Sequence, residues 1–302
     1  MRTIKIGTRG SKLALIQTEK VKKSISNIRP DLKIATHIIQ TSGDLLKDMP
    51  LDKIGGKGVF VKDIEKRLLR REIDIAVHSL KDMQACLPQG LIIGAFLKRD
   101  DPRDMLFPCS SMAGCTIETL PDGASIGTSS LRRRCQIKDI RPDIRVKDIR
   151  GNIPTRLKKV GSNVDAVILA CAGVKRIGLP PGIPIDIDTM IPAPGQGIIA
   201  VEVRKDDRQV QNIIKGLDHE HTRICAQAER AFLSTLGADC HFPVAAYAIL
   251  DNNSILIRGM IGRTDEHYMV KKTITGDPAS AGSLLAEMLL EEMDKAGGSQ
   301  ED

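Results

Sequence analysis

The stretch Ile191-Pro-Ala-Pro-Gly-Gln-Gly-Ile-Ile-Ala-Val-Glu-Val203 decides how the chain is organised. Its first seven residues carry two prolines and two glycines, the composition of a loop, and Ile198–Val203 then reads as one more strand. By this point the chain has already spelled out two series of alternating strands and helices. A strand arriving so late implies that the chain crosses back into the first series. Together with the outward crossing, this makes a two-segment hinge, with a cleft between two domains where ligands bind.

The first series runs through a strand at Thr3–Thr8, an amphipathic helix at Ser11–Ile25 capped by Ser11, a strand at Lys33–Gln40, a helix at Val59–Arg70, and strands at Asp74–Ser79 and Leu91–Leu97. Strand–helix alternation of this kind predicts an α/β domain with a largely parallel sheet. A polar, turn-rich run, Lys98-Arg-Asp-Asp-Pro-Arg-Asp104, reads as the linker to the second series. That series comprises a strand at Ser125–Thr128, a helix at Ser130–Ile140, a strand at Arg145–Ile149, a helix after Asn152 and a buried strand at Ala166–Ala170. After a helix over Thr222–Leu236 the pattern changes to strands at Val244–Leu250, Ile255–Ile261 and Tyr268–Thr275 and a last helix at Ala279–Lys295. The expected domains are 1–98 with 194–216, 99–193, and 217–302, the last a small α+β domain with a three-stranded antiparallel sheet.

Composition narrows the function. The chain has 302 residues and a net charge of +7, which suits a polyanionic ligand, a nucleic acid or a membrane surface. With 2% aromatic residues and no Trp there is little to stack on bases, so nucleic-acid binding is not expected. The amino terminus enters a strand directly, without a signal-peptide apolar stretch, and no run is long enough to span a bilayer. A soluble, cytoplasmic protein is expected, with no membrane partner and, for want of any sign of an obligate interface, a monomeric state. Seven scattered cysteines form no CxxC pair and no zinc spacing, so neither a metal site nor a disulfide framework is expected. Cys240, in Gly237-Ala-Asp-Cys-His-Phe-Pro243 between a helix and a strand, reads as a displayed thiol.

Three loops join Gly, Ser or Thr to arginine at strand-to-helix turns: Gly7-Thr-Arg-Gly-Ser11, Gly127-Thr-Ser-Ser-Leu-Arg-Arg-Arg134 and Ile149-Arg-Gly-Asn-Ile-Pro-Thr-Arg156. Backbone N–H groups, hydroxyls and guanidinium forks in such places bind carboxylates or phosphates. Gly55-Gly-Lys-Gly58 lacks the spacing of a nucleotide-binding phosphate loop and reads as a mobile glycine-rich loop. The segment Asp74-Ile-Ala-Val-His-Ser-Leu-Lys-Asp82 puts Lys81 and Asp82 at the carboxyl end of a strand, where ligands bind in open α/β sheets. His78 reads as a satisfied core histidine, and Ser79 lacks the setting of a nucleophile.

These motifs, in this order, resemble the porphobilinogen deaminase (hydroxymethylbilane synthase) family over essentially the whole chain: Gly7-Thr-Arg-Gly-Ser-Lys-Leu-Ala14, Gly55-Gly-Lys-Gly-Val-Phe-Val-Lys62, His78-Ser-Leu-Lys-Asp82, Gly127-Thr-Ser-Ser-Leu-Arg-Arg133, Arg150-Gly-Asn152, Ala193-Pro-Gly-Gln-Gly197 and the Cys240 loop. The resemblance implies two α/β domains like those of periplasmic binding proteins and a third, cofactor-bearing domain. It implies a dipyrromethane cofactor held by a thioether to Cys240, and porphobilinogen as substrate. Asp82 maps to the catalytic carboxylate. Arg9, Ser11, Lys53, Lys57, Lys81, Thr128, Ser129, Ser130, Arg132, Arg133, Arg150, Arg156 and Arg176 map to groups that bind the carboxylates of cofactor and substrate. The chain departs from the family in Gln84, where proline is usual, and in Asp239 and His241 beside the cysteine. A non-catalytic module that binds a polycarboxylate in the same cleft is the alternative, and it gives no role to Asp82 or Cys240.

Overall fold

The computed structural model describes residues 3–41, 61–237, 243–263 and 268–297. Lys53, Lys57, the Gly55–Gly58 loop and the cysteine loop with Asp239, Cys240 and His241 lie outside the described residues. In chain order the elements are β1 (Thr3–Arg9), α1 (Lys12–Ile28), β2 (Lys33–Ile39), α2 (Lys62–Leu69), β3 (Ile75–Ser79), β4 (Leu91–Phe96), β5 (Asp104–Pro108), β6 (Ser125–Gly127), α3 (Leu131–Ile140), β7 (Arg145–Lys147), α4 (Ile153–Leu157), β8 (Ala166–Ala170), α5 (Cys171–Arg176) and β9 (Ile183–Pro184). They continue through β10 (Ile199–Arg204), α6 (Arg208–Ile214), α7 (Glu220–Thr235), β11 (Val244–Asp251), β12 (Ser254–Gly262), β13 (Met269–Gly276) and α8 (Ala281–Gly297).

The chain divides into two compact units. One comprises Met1–Asp100 and Ile198–Ile224, the other Asp101–Gly197 and Cys225–Asp302.

The first unit is built on a five-stranded sheet of order β2-β1-β3-β10-β4. β1 pairs in parallel with β2 and β3, whereas β10 runs antiparallel between β3 and β4. The late strand therefore does enter the first sheet, and near its middle. Its direction follows from its origin, since it arrives from the second unit rather than through a crossover helix of the first. Ile4 and Ile6 of β1, Val77 of β3 and Val201 of β10 bury against Val21 and Ile25 of α1 on one face. On the other face Ala76 packs with Ile64 and Leu68 of α2. All six residues of β10 are buried, including Glu202 and Arg204. Arg204 Nη1 donates to the Leu68 and Ile73 carbonyls and Nη2 to Asp74 and Asp207, while its Nε is buried without a partner.

The second unit repeats the plan with the order β7-β6-β8-β5-β9. β6 is parallel to β7 and β8, and β5 is antiparallel to β8 and β9. β5 corrects the sequence reading: Asp104, expected to close a polar linker, is fully buried and opens a strand. β9 and α6 were likewise not anticipated. β9 has only two residues, and α6 depends on a cap from Asp207, whose Oδ1 accepts from the Val210 N–H at 3.1 Å.

The expected C-terminal sheet is present, in the order β11-β12-β13, antiparallel throughout. α7 and α8 pack closely beside it. A Cβ on Gly282 of α8 would stand 2.0 Å from the Ala228 carbonyl oxygen of α7, so only glycine allows that approach. Ile191, Ala245 and Met260 form a small core that ties the sheet to the loop before Gly197.

Candidate active site

In the first unit β1 and β3 pair at Ile6–Ile75 and Gly7–Ala76, so their carboxyl ends open on the same edge of the sheet. Arg9 and Ser11 lie at the end of β1, and Lys81 and Asp82 just past the end of β3. Ser11 caps α1: its Oγ accepts from the Ala14 N–H at 3.2 Å, which orders the turn next to Arg9. Lys81 and Asp82 occupy a single 3-10 turn, Leu80–Asp82. That turn is anchored at two points and closed by its own cap bond. Gln17 Nε2 of α1 donates to Ser79 Oγ at 2.8 Å, Leu80 N–H to the Ile198 carbonyl at 3.0 Å, and Met83 N–H to the Leu80 carbonyl at 3.0 Å. Leu80 is buried while Asp82 is exposed, and among the described residues no ion pair or hydrogen bond occupies its carboxylate. A fixed, exposed carboxylate at a strand end can accept or return a proton from a bound ligand.

His78 is the satisfied core histidine its setting predicts, with Nε2 3.0 Å from Glu202 Oε2 and both side chains buried. The Ser79 hydroxyl is engaged by Gln17, not by a histidine.

In the second unit β6, β7 and β8 are parallel, and the loops after them share one edge. After β6, Ser129 Oγ donates to the Ile149 carbonyl at 2.8 Å and the Ser130 N–H to Thr128 Oγ1 at 3.2 Å, stitching this loop to the one after β7. There the Arg150 carbonyl accepts from Lys159 Nζ at 3.2 Å, and Arg156 Nε donates to the Gly151 carbonyl at 2.8 Å. Arg176, at the end of the helix following β8, reaches the Gly197 carbonyl at 2.7 Å. Thr128, Ser129, Ser130, Arg150, Arg156 and Arg176 thus gather along one strand edge.

Arg132 and Arg133 do not remain on that edge. Both are buried on α3 and face one carboxylate: Arg132 Nη2 lies 2.8 Å from Asp104 Oδ2 and Arg133 Nη2 2.7 Å from Asp104 Oδ1. Their Nη1 groups donate to the Ile191 and Ile168 carbonyls at 2.8 Å. Burial pushes the Asp104 carboxyl up, but the two guanidinium groups outweigh it and hold Asp104 well below the usual carboxylate range. The balance of the cluster is still positive, two cations to one anion, and Arg132 Nε and Arg133 Nε are buried without hydrogen-bond partners.

Sequence reasoning missed Asp104, Gln196 and Glu229. Gln196 Nε2 donates to Asp104 Oδ1 at 3.0 Å and to the Pro102 carbonyl at 2.7 Å. Glu229 of α7 accepts from the Gly195 N–H at 2.7 Å and the Ala248 N–H at 2.8 Å. Gly195 and Gly197 adopt φ of +76° and +89°, which is the reason for glycine on either side of Gln196. Among the described residues no cluster of metal-ligating side chains occurs, and no helix is long and apolar enough to cross a membrane.

Residues 4–212 match the family model described as "Porphobilinogen deaminase, dipyromethane cofactor binding domain", and residues 223–291 match "Porphobilinogen deaminase, C-terminal domain". A porphobilinogen deaminase from Brevibacillus brevis is 47% identical over 291 residues, 95% of this chain and 93% of the relative. One from Roseiflexus sp. is 44% identical over 299 residues, covering 97% and 98%, and one from Syntrophomonas wolfei is 45% identical over 298 residues, covering 97% and 96%. With both family domains matched in order and relatives this similar along nearly its whole length, the chain belongs to the porphobilinogen deaminase family.

Proposed function

We propose that Asp82 is the carboxylate that serves the family's condensation chemistry, and that the product grows on a dipyrromethane attached to Cys240. The reaction of the family joins four porphobilinogen molecules head to tail with loss of ammonia, then releases linear hydroxymethylbilane by hydrolysis. The observation that carries the assignment is the exposed carboxylate of Asp82, unpaired among the described residues, on a turn anchored through Gln17 and Ile198.

A pyrrole N–H would donate to Asp82. As the C–N bond of the aminomethyl arm breaks and ammonia leaves, positive charge spreads over the ring, and a fixed carboxylate beside it lowers the barrier. Asp82 would then receive the proton that the joined α-carbon gives up.

The residues present fit a primer bearing several carboxylates. Arg150, Arg156 and Arg176 gather at one edge with the Thr128–Ser130 hydroxyls, and Arg132 with Arg133 adds an excess of one buried positive charge over Asp104. When bound, the dipyrromethane supplies the free pyrrole α-carbon for the first condensation and a tether that outlasts turnover. Arg9, Ser11 and Lys81 would hold carboxylates of the incoming substrate beside Asp82, with Lys53 and Lys57 as further cations.

The test is a pair of substitutions with two readouts. Asp82→Asn should keep the mass of two pyrrole units on the purified protein yet lower turnover by roughly 100-fold or more, within the range general acid–base catalysis supplies. Turnover near wild type would overturn the assignment. Cys240→Ser should show the bare chain mass, whereas Cys86→Ser, which removes an exposed thiol four residues from Asp82, should keep the pyrroles. A loaded Cys240→Ser protein would refute the attachment site.

A further inference from the structure

Three buried titratable side chains of the first unit take no part in the chemistry above. His78 on β3, Glu202 on β10 and Glu65 on α2 are 5%, 0% and 4% exposed. Strand register explains why the first two meet. Ala200 pairs with His78 and Glu202 with Ala76, so His78 and Glu202 are diagonal neighbours on one face of an antiparallel pair. The packing of Ala76 against Ile64 and Leu68 brings α2, and with it Glu65, onto that face. Glu202 Oε2 engages His78, while Glu202 Oε1 is buried with no partner.

Other charges near the cluster do not neutralise it. Arg204, from β10, is committed to Asp74 and Asp207. Lys62, from the first turn of α2, and Lys5, from β1, are exposed, and Arg9 belongs to the ligand edge. Two carboxylates and one imidazole in a dry layer are neutral only when they hold two protons, whether as imidazolium with one neutral carboxyl or as imidazole with two. In water at neutral pH the same three groups together would hold well under one proton, given free values of about 4.3 and about 6.5.

We propose that Glu65 carries a proton in the working enzyme, and that this neutral carboxyl lets α2 close over β3 and hold the turn bearing Lys81 and Asp82. Glu65 is thus a positioning residue, acting through His78 and β3, which runs straight into the turn. Ionising it sets a second carboxylate beside Glu202, and the repulsion acts between α2 and β10, the strand paired with β3, whose end leads into the Asp82 turn. Burial, with the charge of Glu202 behind it, pushes the Glu65 carboxyl up to about 7 against the pull of His78 and Lys62. A raised folded value means that the stabilising proton is fully present below the unfolded value near 4.5 and is lost as pH rises through about 7.

The inference rests on the assignment of Asp82, and the experiment separates the two. In full-length enzyme carrying its pyrroles, wild type should lose kcat on the alkaline side, on the order of tenfold between about pH 7 and about pH 9, with a smaller change in KM for porphobilinogen. Glu65→Gln, neutral at every pH, should flatten that limb; a profile that superimposes on wild type overturns the positioning role. Infrared spectra of enzyme with 13C-labelled glutamate should show a protonated carboxyl band at about pH 6 that disappears by about pH 9. Its absence from wild type at about pH 6 overturns the proposal even if Glu65→Gln does not fold. Asp82→Asn should keep the band, so a fully active Asp82→Asn protein would remove the catalytic assignment without touching the proton on Glu65.

Discussion

Asp104 has no solvent to stabilise its charge, and desolvating a carboxylate costs several kcal/mol unless its partners are well placed. Here they are two guanidinium groups and the Gln196 amide. Asp104→Asn would leave two buried cations without their anion and should destabilise the second unit by roughly 3–5 kcal/mol, read as a lowered urea midpoint. Because the folded carboxyl is held below its free value, this stabilisation is complete above about pH 4 and drains away only under stronger acid. A midpoint within experimental error of wild type at neutral pH would refute the role. Asp104 was illegible in the sequence because its partners lie 28 and 29 positions away, and the run Lys98–Asp104 has the composition of a linker. The place of Asp82 at a strand end was legible, since a charged residue just past an apolar strand needs no distant partner to be noticed. Arg132 and Arg133 were legible as cations but not as buried ones, because their surroundings come from β5 and β8.

Among the elements, local patterning served well for α1, where the Ser11 cap and the buried positions Thr18, Val21 and Ile25 follow helical spacing. It served poorly for β5, whose charged first residue hides an apolar Met105-Leu-Phe107 core. Gly282 makes a prediction at this scale. Gly282→Ala inserts a methyl group where the Ala228 carbonyl already stands, so α8 must move away from α7. The expected cost is about 1–3 kcal/mol, as for other overpacked sites, and a thermal midpoint that falls by several degrees would register it. An unchanged midpoint would mean that the helices separate freely.

Across the whole molecule, Glu229 joins what the sequence order keeps apart. One carboxylate accepts from the Gly195 loop and from β11, so the C-terminal sheet and residues 101–197 share a buried fastening within the second unit. Glu229→Ala orphans both N–H groups, at about 1–3 kcal/mol apiece. Urea unfolding followed by circular dichroism should then broaden or split as the sheet loosens from the rest of the unit; one transition with the wild-type slope would rule this out. The alternation of strands and helices and the late return of the chain were readable in sequence. The buried polar ties that hold the elements were not, because each pairs residues far apart along the chain.

The position of β10 also sets an order of assembly on the ribosome. β5 to β9 are contiguous from Asp104 to Pro184, so the second sheet has all its strands before the first. β3 and β4 wait for Ile199–Arg204 to be translated, about 100 residues later, which at ~5–20 residues per second leaves two unpaired strand edges exposed for roughly 5–20 s. A nascent chain of this enzyme is therefore most vulnerable to aggregation through the unit that is synthesised first.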